Sequence, residues 1–229
     1  MLQTLLHWLG FGLCHQLPDR SFFGGGTQAP VCARDTGIYV GFMVSLALIS
    51  FLHGARRPRG FPEAPGWVAI GIMIAAMAWD GATSYAGLRT TTNDLRLLTG
   101  LTAGFAIAAV LAPMLNDELW RSGSAERVLA PAWRLIAWLG AVPVTFALVR
   151  WGGPLLGIGY PVLIAAAVIA TLTTVNMVIV CLTPPFERKA NRLTDAWLAI
   201  SVALLLTVLE VWLSGLLRYG LTMLAARYS

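Results

Sequence analysis

The sequence predicts an all-α fold, a single integral membrane domain built as a polytopic bundle of about six transmembrane helices behind an N-terminal interfacial segment. Three observations carry that expectation. Of 229 residues, 57% are hydrophobic and 12% charged, and the mean hydropathy is +0.71, outside the range of ordinary water-soluble domains. Six apolar runs, at about 36–53, 66–86, 97–115, 132–150, 159–181 and 194–217, are each long enough to cross a hydrocarbon core of roughly 30 Å. The alternating ten-residue strands of a closed barrel are missing, so hydrogen bonding in lipid requires each run to be helical. The formal net charge of +5 sits in short loops rather than in a basic stripe interleaved with aromatics. That pattern points to membrane orientation, with membrane lipids rather than nucleic acid as partners.

Residues 1–13 are apolar but too short to cross, and contain Trp8 and His7 among leucines, the pattern of a helix lying in the interface. They lack the basic residues and cleavage site of a secretory signal. Bulky Leu13 before Cys14 argues against lipoprotein acylation. Residues 1–35 read as a cap, 36–217 as the six crossings and 218–229 as a short tail. The connections 54–65, 116–131 and 182–193 hold Arg56, Arg57, Arg59, Arg121, Arg127, Arg188, Lys189 and Arg192, which makes them cytoplasmic and puts the N-terminal motif on the outer face. Arg150, Arg218 and Arg227 lie on the outer side against this bias. An inverted bundle would put the cap cysteines in a reducing compartment. Gly37-x-x-x-Gly41 and Gly100-x-x-x-Gly104 each set two small residues on one helix face, where another backbone can approach.

Two motifs share the outer face. The first is Cys14-His15-Gln16-Leu17-Pro18-Asp19-Arg20-Ser21-Phe22-Phe23, followed by the turn-forming Gly24-Gly25-Gly26 and then Cys32-Ala33-Arg34-Asp35-Thr36-Gly37-Ile38-Tyr39. The second is Gly87-Leu88-Arg89-Thr90-Thr91-Thr92-Asn93-Asp94-Leu95-Arg96, shortly after Asp80. From Cys14 to about Gly104 the chain resembles a family of small predicted membrane proteins of bacteria and archaea, classified as a domain of unknown function. The resemblance implies a membrane fold and no specific activity. Asp35 stands where the family pattern has the second cysteine of Cys-x-x-Cys, so three thiolates there become two thiolates and a carboxylate here.

Cys14, Cys32 and Asp35 read as candidate metal ligands, with His15 or Asp80 to complete a zinc set, since zinc accepts mixed sulfur, nitrogen and oxygen donors. His15 directly follows Cys14, and adjacent residues seldom reach one ion. Two cysteines are too few for an ordinary iron–sulfur cluster. The alternative is a Cys14–Cys32 disulfide stapling the cap in an oxidising compartment. Cys181 reads as a packing residue, and His7 and His53 as interfacial.

Arg20, Arg34, Arg89 and Arg96, with Thr90, Thr92 and Asn93 beside a helix N-terminus, form a candidate site for an anionic, lipid-like ligand. Asp80 belongs to that set, unless the arginines simply pair with Asp19, Asp35, Asp80 and Asp94. Asp80 and Glu210 read as carboxylates at similar depth facing the bundle interior. Asn176, beside Thr173 and Thr174, reads either as lining a polar path or, the commoner use, as an interhelical hydrogen-bonding group. No phosphate loop, dinucleotide fingerprint, nucleophile elbow or zinc-protease helix occurs, and no catalytic residue is assignable. Two functions remain: a membrane protein binding a metal, an anionic lipid-like ligand or both, in transport or lipid handling, and a non-catalytic accessory subunit of a larger membrane complex.

Overall fold

The computed structural model describes residues 1–228, with side chains through Ala226; the Arg227 side chain lies outside the described residues. Six helices are long and apolar enough to cross a membrane. In chain order the helices are α1 (Leu2–Phe11), α2 (Ala33–His53), α3 (Ala64–Tyr85), α4 (Asn93–Leu119), α5 (Ala132–Ala147), α6 (Gly159–Cys181) and α7 (Trp197–Tyr228).

The observed ends depart from the hydropathy runs for local reasons. α4 starts at Asn93 because the Thr92 hydroxyl accepts the Leu95 N–H at 3.2 Å, an N-cap that overrides the polarity of the first turn. The fourth crossing leaves α-geometry after Ala147, where a π turn (Leu148–Gly152) and a 3₁₀ turn (Gly153–Leu156) follow. Residues 218–226, expected as part of a tail, continue α7.

α4 is the central helix, and α2 packs against it through the two glycine pairs. A Cβ added at Gly37 would fall 2.5 Å from Leu97 O, and one at Gly41 2.7 Å from Leu101 O. At Gly100 and Gly104 the obstructing atoms are the Arg34 and Ile38 carbonyls. Both glycine pairs therefore serve the close backbone approach that their spacing predicts. Lower down, the Ser45 hydroxyl donates to Phe105 O at 3.1 Å and accepts from the fully buried Trp138 indole at 2.8 Å, tying α2, α4 and α5 together.

The three Arg-bearing connections gather on one face. A short parallel pair, β3 (Pro58–Gly60) with β4 (Ser124–Arg127), joins two of them. Arg59 donates to Trp120 O at 2.6 Å, Arg57 to Asn191 O at 2.9 Å and Arg188 to both Asp117 oxygens at 3.0 Å. His53 is buried at this end of α2, with Nδ1 3.2 Å from Ile49 O. Cys181 is buried among Leu115, Leu119 and Val178, as its packing role requires.

The opposite face carries the cap. β1 (Ser21–Gly24) and β2 (Thr27–Cys32) form an antiparallel hairpin whose turn places Gly25 and Gly26 at φ +54° and +75°. Positive φ at both central positions is the turn that matches strand twist, and glycine adopts it without strain.

Candidate functional site

The cap brings the first motif onto the start of α2. Gln16, held at φ +54°, donates through Nε2 to His7 O at 2.9 Å and Pro30 O at 2.8 Å. Gln28 in turn donates to Gln16 O at 2.9 Å and Ser21 Oγ at 3.0 Å. α7 closes the cap from the far end of the chain. Arg218 donates to Phe11 O and, at 2.5 Å, to Cys14 O, with its guanidinium 4.5 Å above the Phe11 ring, and Ser214 donates to Gly12 O at 2.8 Å.

These contacts set Cys14 beside the N-terminus of α2, where its Sγ accepts the Cys32 N–H at 3.3 Å. Cys32 Sγ donates to Asp35 Oδ2 at 3.2 Å. One donor atom from each of Cys14, Cys32 and Asp35 lies within 4.8 Å of the other two. Tetrahedral zinc with bonds of roughly 2.0–2.3 Å needs such donors about 3.5 Å apart, so the trio fits with small side-chain adjustments. His15 is exposed and does not join this trio, because consecutive residues on an extended chain point apart. Asp80 is engaged elsewhere. Both cap cysteines are free thiols in the structure.

The thiols are inequivalent. A hydrogen bond from Cys32 holds the Cys14 thiol below its ordinary range, against burial and the Asp35 charge. The same bond, with burial and Asp35, pushes Cys32 well above it.

The second motif meets the first around Asp80, whose side chain is 1% exposed. Its carboxylate accepts from Arg34 on α2, from Arg89 at 2.5 Å, from Thr91 at 3.0 Å and from Thr99 on α4 at 3.3 Å. Arg89 Nε also donates to Thr83 Oγ1 at 2.8 Å. Thr83, Thr91 and Thr99 are partners of the Asp80–Arg89 cluster that residue type alone did not mark out: Thr91 is one of three consecutive threonines with no sign in the sequence of which turns inward, and Thr83 and Thr99 lie within helices outside the motif. Thr92 is used as the helix cap.

Arg96 is different. It is only 9% exposed, its Nη1 donates to Asn93 Oδ1 at 3.0 Å, and no carboxylate lies within 4 Å of it among the described residues. It lines two adjoining spaces. One, of about 230 Å³, also touches Cys14, Cys32, Asp35, Arg34 and Arg20. The other, of about 580 Å³, is bounded by Arg20, Arg89, Thr90, Thr92 and Asn93. Arg20 pairs only loosely with Asp19, at 3.7 Å with both side chains exposed, and Asn93 fastens the cap through Asp19 O at 3.0 Å. Asp94 pairs with Arg150 at 2.5 Å, which accounts for one arginine on the cap face.

A family of predicted membrane proteins, DUF2085, matches residues 14–110. An uncharacterized protein of Methanocaldococcus jannaschii is 37% identical over 109 residues, covering 48% of this chain and 67% of the relative. An uncharacterized protein of Methanothermobacter thermautotrophicus is 37% identical over 98 residues, covering 43% of this chain and 83% of the relative. No solved structure matches the chain significantly. Every residue of the two motifs falls inside the matched segment, whereas α5, α6 and α7 fall outside it.

Proposed function

The chain belongs to the DUF2085 family of predicted membrane proteins, and on that premise we propose that its cap binds a thiophilic divalent cation, zinc in the first instance, and uses it to hold an anionic, lipid-like ligand at the outer face of the cell membrane. One observation carries this reading: Cys14, Cys32 and Asp35 converge at the wall of the cavity into which the buried, carboxylate-free Arg96 also points. Three protein donors leave a tetrahedral ion one open position, the arrangement of zinc sites that bind a further ligand. A bound zinc would supply Lewis-acid attraction there. Arg96 and Arg20 supply the planar donors that suit phosphate or carboxylate, and Arg34 and Arg89 are spent largely on Asp80.

The test is metal content by elemental mass spectrometry on protein purified without chelators, with a thiol count under denaturation. About one zinc per chain, lost in Cys32→Ala, together with phosphate-ester binding lost in Arg96→Gln, supports the reading. A second reading, a Cys14–Cys32 disulfide stapling the cap, is favoured by the two sulfurs lying within 4.8 Å of one another. Absent metal with two protected cysteines selects it, and turns attention to an accessory role in a larger complex.

A further inference from the structure

The protein's own acceptors satisfy only part of Arg96. Its Nη1 donates to Asn93 Oδ1 at 3.0 Å, and among the described residues no other nitrogen of its guanidinium has a protein acceptor. The residue is nevertheless 9% exposed. A guanidinium so far removed from water, with donors left open, is set to receive an anion. The larger of the two spaces it lines, about 580 Å³, lies at the N-terminus of α4 and also presents Arg20, Arg89, Thr90 and Asn93. The Thr92 hydroxyl caps only Leu95, so the Asn93 and Asp94 N–H groups at this helix end have no partner within the helix.

Charge narrows the class of ligand. Around this space Arg20, Arg34, Arg89 and Arg96 stand against Asp80, which Arg34 and Arg89 share, and Asp19, loosely paired with Arg20. Four cations against two carboxylates leave an excess of two positive charges. Asp94 is neutralised by Arg150, and Asp35 lies in the smaller space with the cysteines. A phosphomonoester carries close to two negative charges at neutral pH and three terminal oxygens, which matches Arg96, Arg20 and the helix end in both charge and number of acceptors. A carboxylate or a phosphodiester brings one charge and two such oxygens. The rim is apolar: Leu17 and Tyr85, which border the smaller space, and Leu88, next to Gly87 of the larger one, are all exposed beside the C-terminal end of α3.

We propose that the larger space is the headgroup site for a lipid phosphomonoester, seated on Arg96, Arg20 and the N-terminus of α4, with its apolar chain leaving past Leu17, Tyr85 and Leu88 into the bilayer. The assignment rests on the anionic-ligand part of the reading above and names its class. It does not require the metal, because Cys14, Cys32 and Asp35 border the other space. A cation held there would add attraction from next door.

The test titrates the full chain in detergent with phosphatidic acid, with phosphatidylglycerol of the same acyl chains and with inorganic phosphate, and reads bound ligand by native mass spectrometry. Phosphatidic acid should bind about tenfold more tightly than phosphatidylglycerol, the scale of one charge-assisted hydrogen bond, and inorganic phosphate should displace it only at far higher concentration. Arg96→Gln should remove the preference, Arg20→Gln should weaken it severalfold, and Arg121→Gln, exposed on the opposite face, should leave it intact. Arg20 is exposed, so its substitution reads the site even where Arg96→Gln disturbs folding, which thermal unfolding checks. Cys32→Ala should keep the preference, and a chain that holds no zinc yet prefers phosphatidic acid ends the metal reading while supporting this one. Equal binding of the two lipids, inorganic phosphate as strong as phosphatidic acid, a preference indifferent to both arginine substitutions, or one abolished by Cys32→Ala each overturn the assignment.

Discussion

Asp80→Asn isolates the charge that joins the two motifs. The native carboxylate is 1% exposed and receives Arg34, itself 12% exposed, Arg89, Thr91 and Thr99. The asparagine keeps the shape and an acceptor for the threonines but leaves a buried guanidinium without its counter-charge. Removing one member of a buried pair costs about 3–5 kcal/mol. The expected loss is about 3 kcal/mol, at the low end, because Arg89 is 36% exposed and can turn to water. The assay is chemical unfolding in mixed micelles followed by tryptophan fluorescence. Arg34→Met with Asp80→Leu should recover most of the loss, to within about 1 kcal/mol of the native chain, because an apolar pair has no charge to desolvate. A single variant within about 0.5 kcal/mol of native, or a double variant as unstable as the single one, would refute the argument that Asp80 is a structural tie.

Gly100→Val should destabilise the bundle by about 2 kcal/mol in the same assay, since its Cβ would collide with the Arg34 carbonyl, a backbone atom that cannot step aside. Asp35→Cys converts the trio to three sulfurs and should tighten zinc, read by competition with a chromophoric chelator, because thiolate is the softer ligand; unchanged or weaker binding would remove Asp35 from the ligand set. On the basic face, the hydrogen bond from Arg134, with Arg56 beside it, holds the Glu126 carboxyl below its ordinary range. Its contribution is complete above the ordinary glutamate value and is lost as pH falls through the lower folded value. Protection factors of the β3 and β4 amides, taken relative to intrinsic exchange at each pH, should therefore fall on acidification, and Glu126→Gln should abolish that dependence.

The six crossings were legible because lipid leaves the backbone no partner outside its own helix, so length and hydropathy suffice to identify them. The two glycine pairs were legible for a related reason: a spacing of four fixes a shared face whatever lies opposite. The cap was legible only as a cluster of reactive residue types. Its hairpin depends on the cross-links of Gln16 and Gln28, and its closure on Ser214 and Arg218, some 200 residues further on. No local pattern announces a side chain that reaches back across the whole chain to two carbonyls.

By itself, then, the sequence determined the number of membrane helices, the small-residue faces at Gly37/Gly41 and Gly100/Gly104 and the placing of Cys14, Cys32, Asp35 and the arginines toward one surface, because each follows from local periodicity or from hydrogen-bond satisfaction in lipid; that the two glycine faces meet each other came from the tertiary structure. Only the tertiary structure decided that Asp80 is consumed by Arg34 and Arg89 while Arg96 stays free of carboxylates, that His15 stands outside the donor trio, and that Glu210 faces outward in mid-span. The physical reason is that like residues compete for the same few partners, and distances of a few ångströms across separate helices settle which of them win.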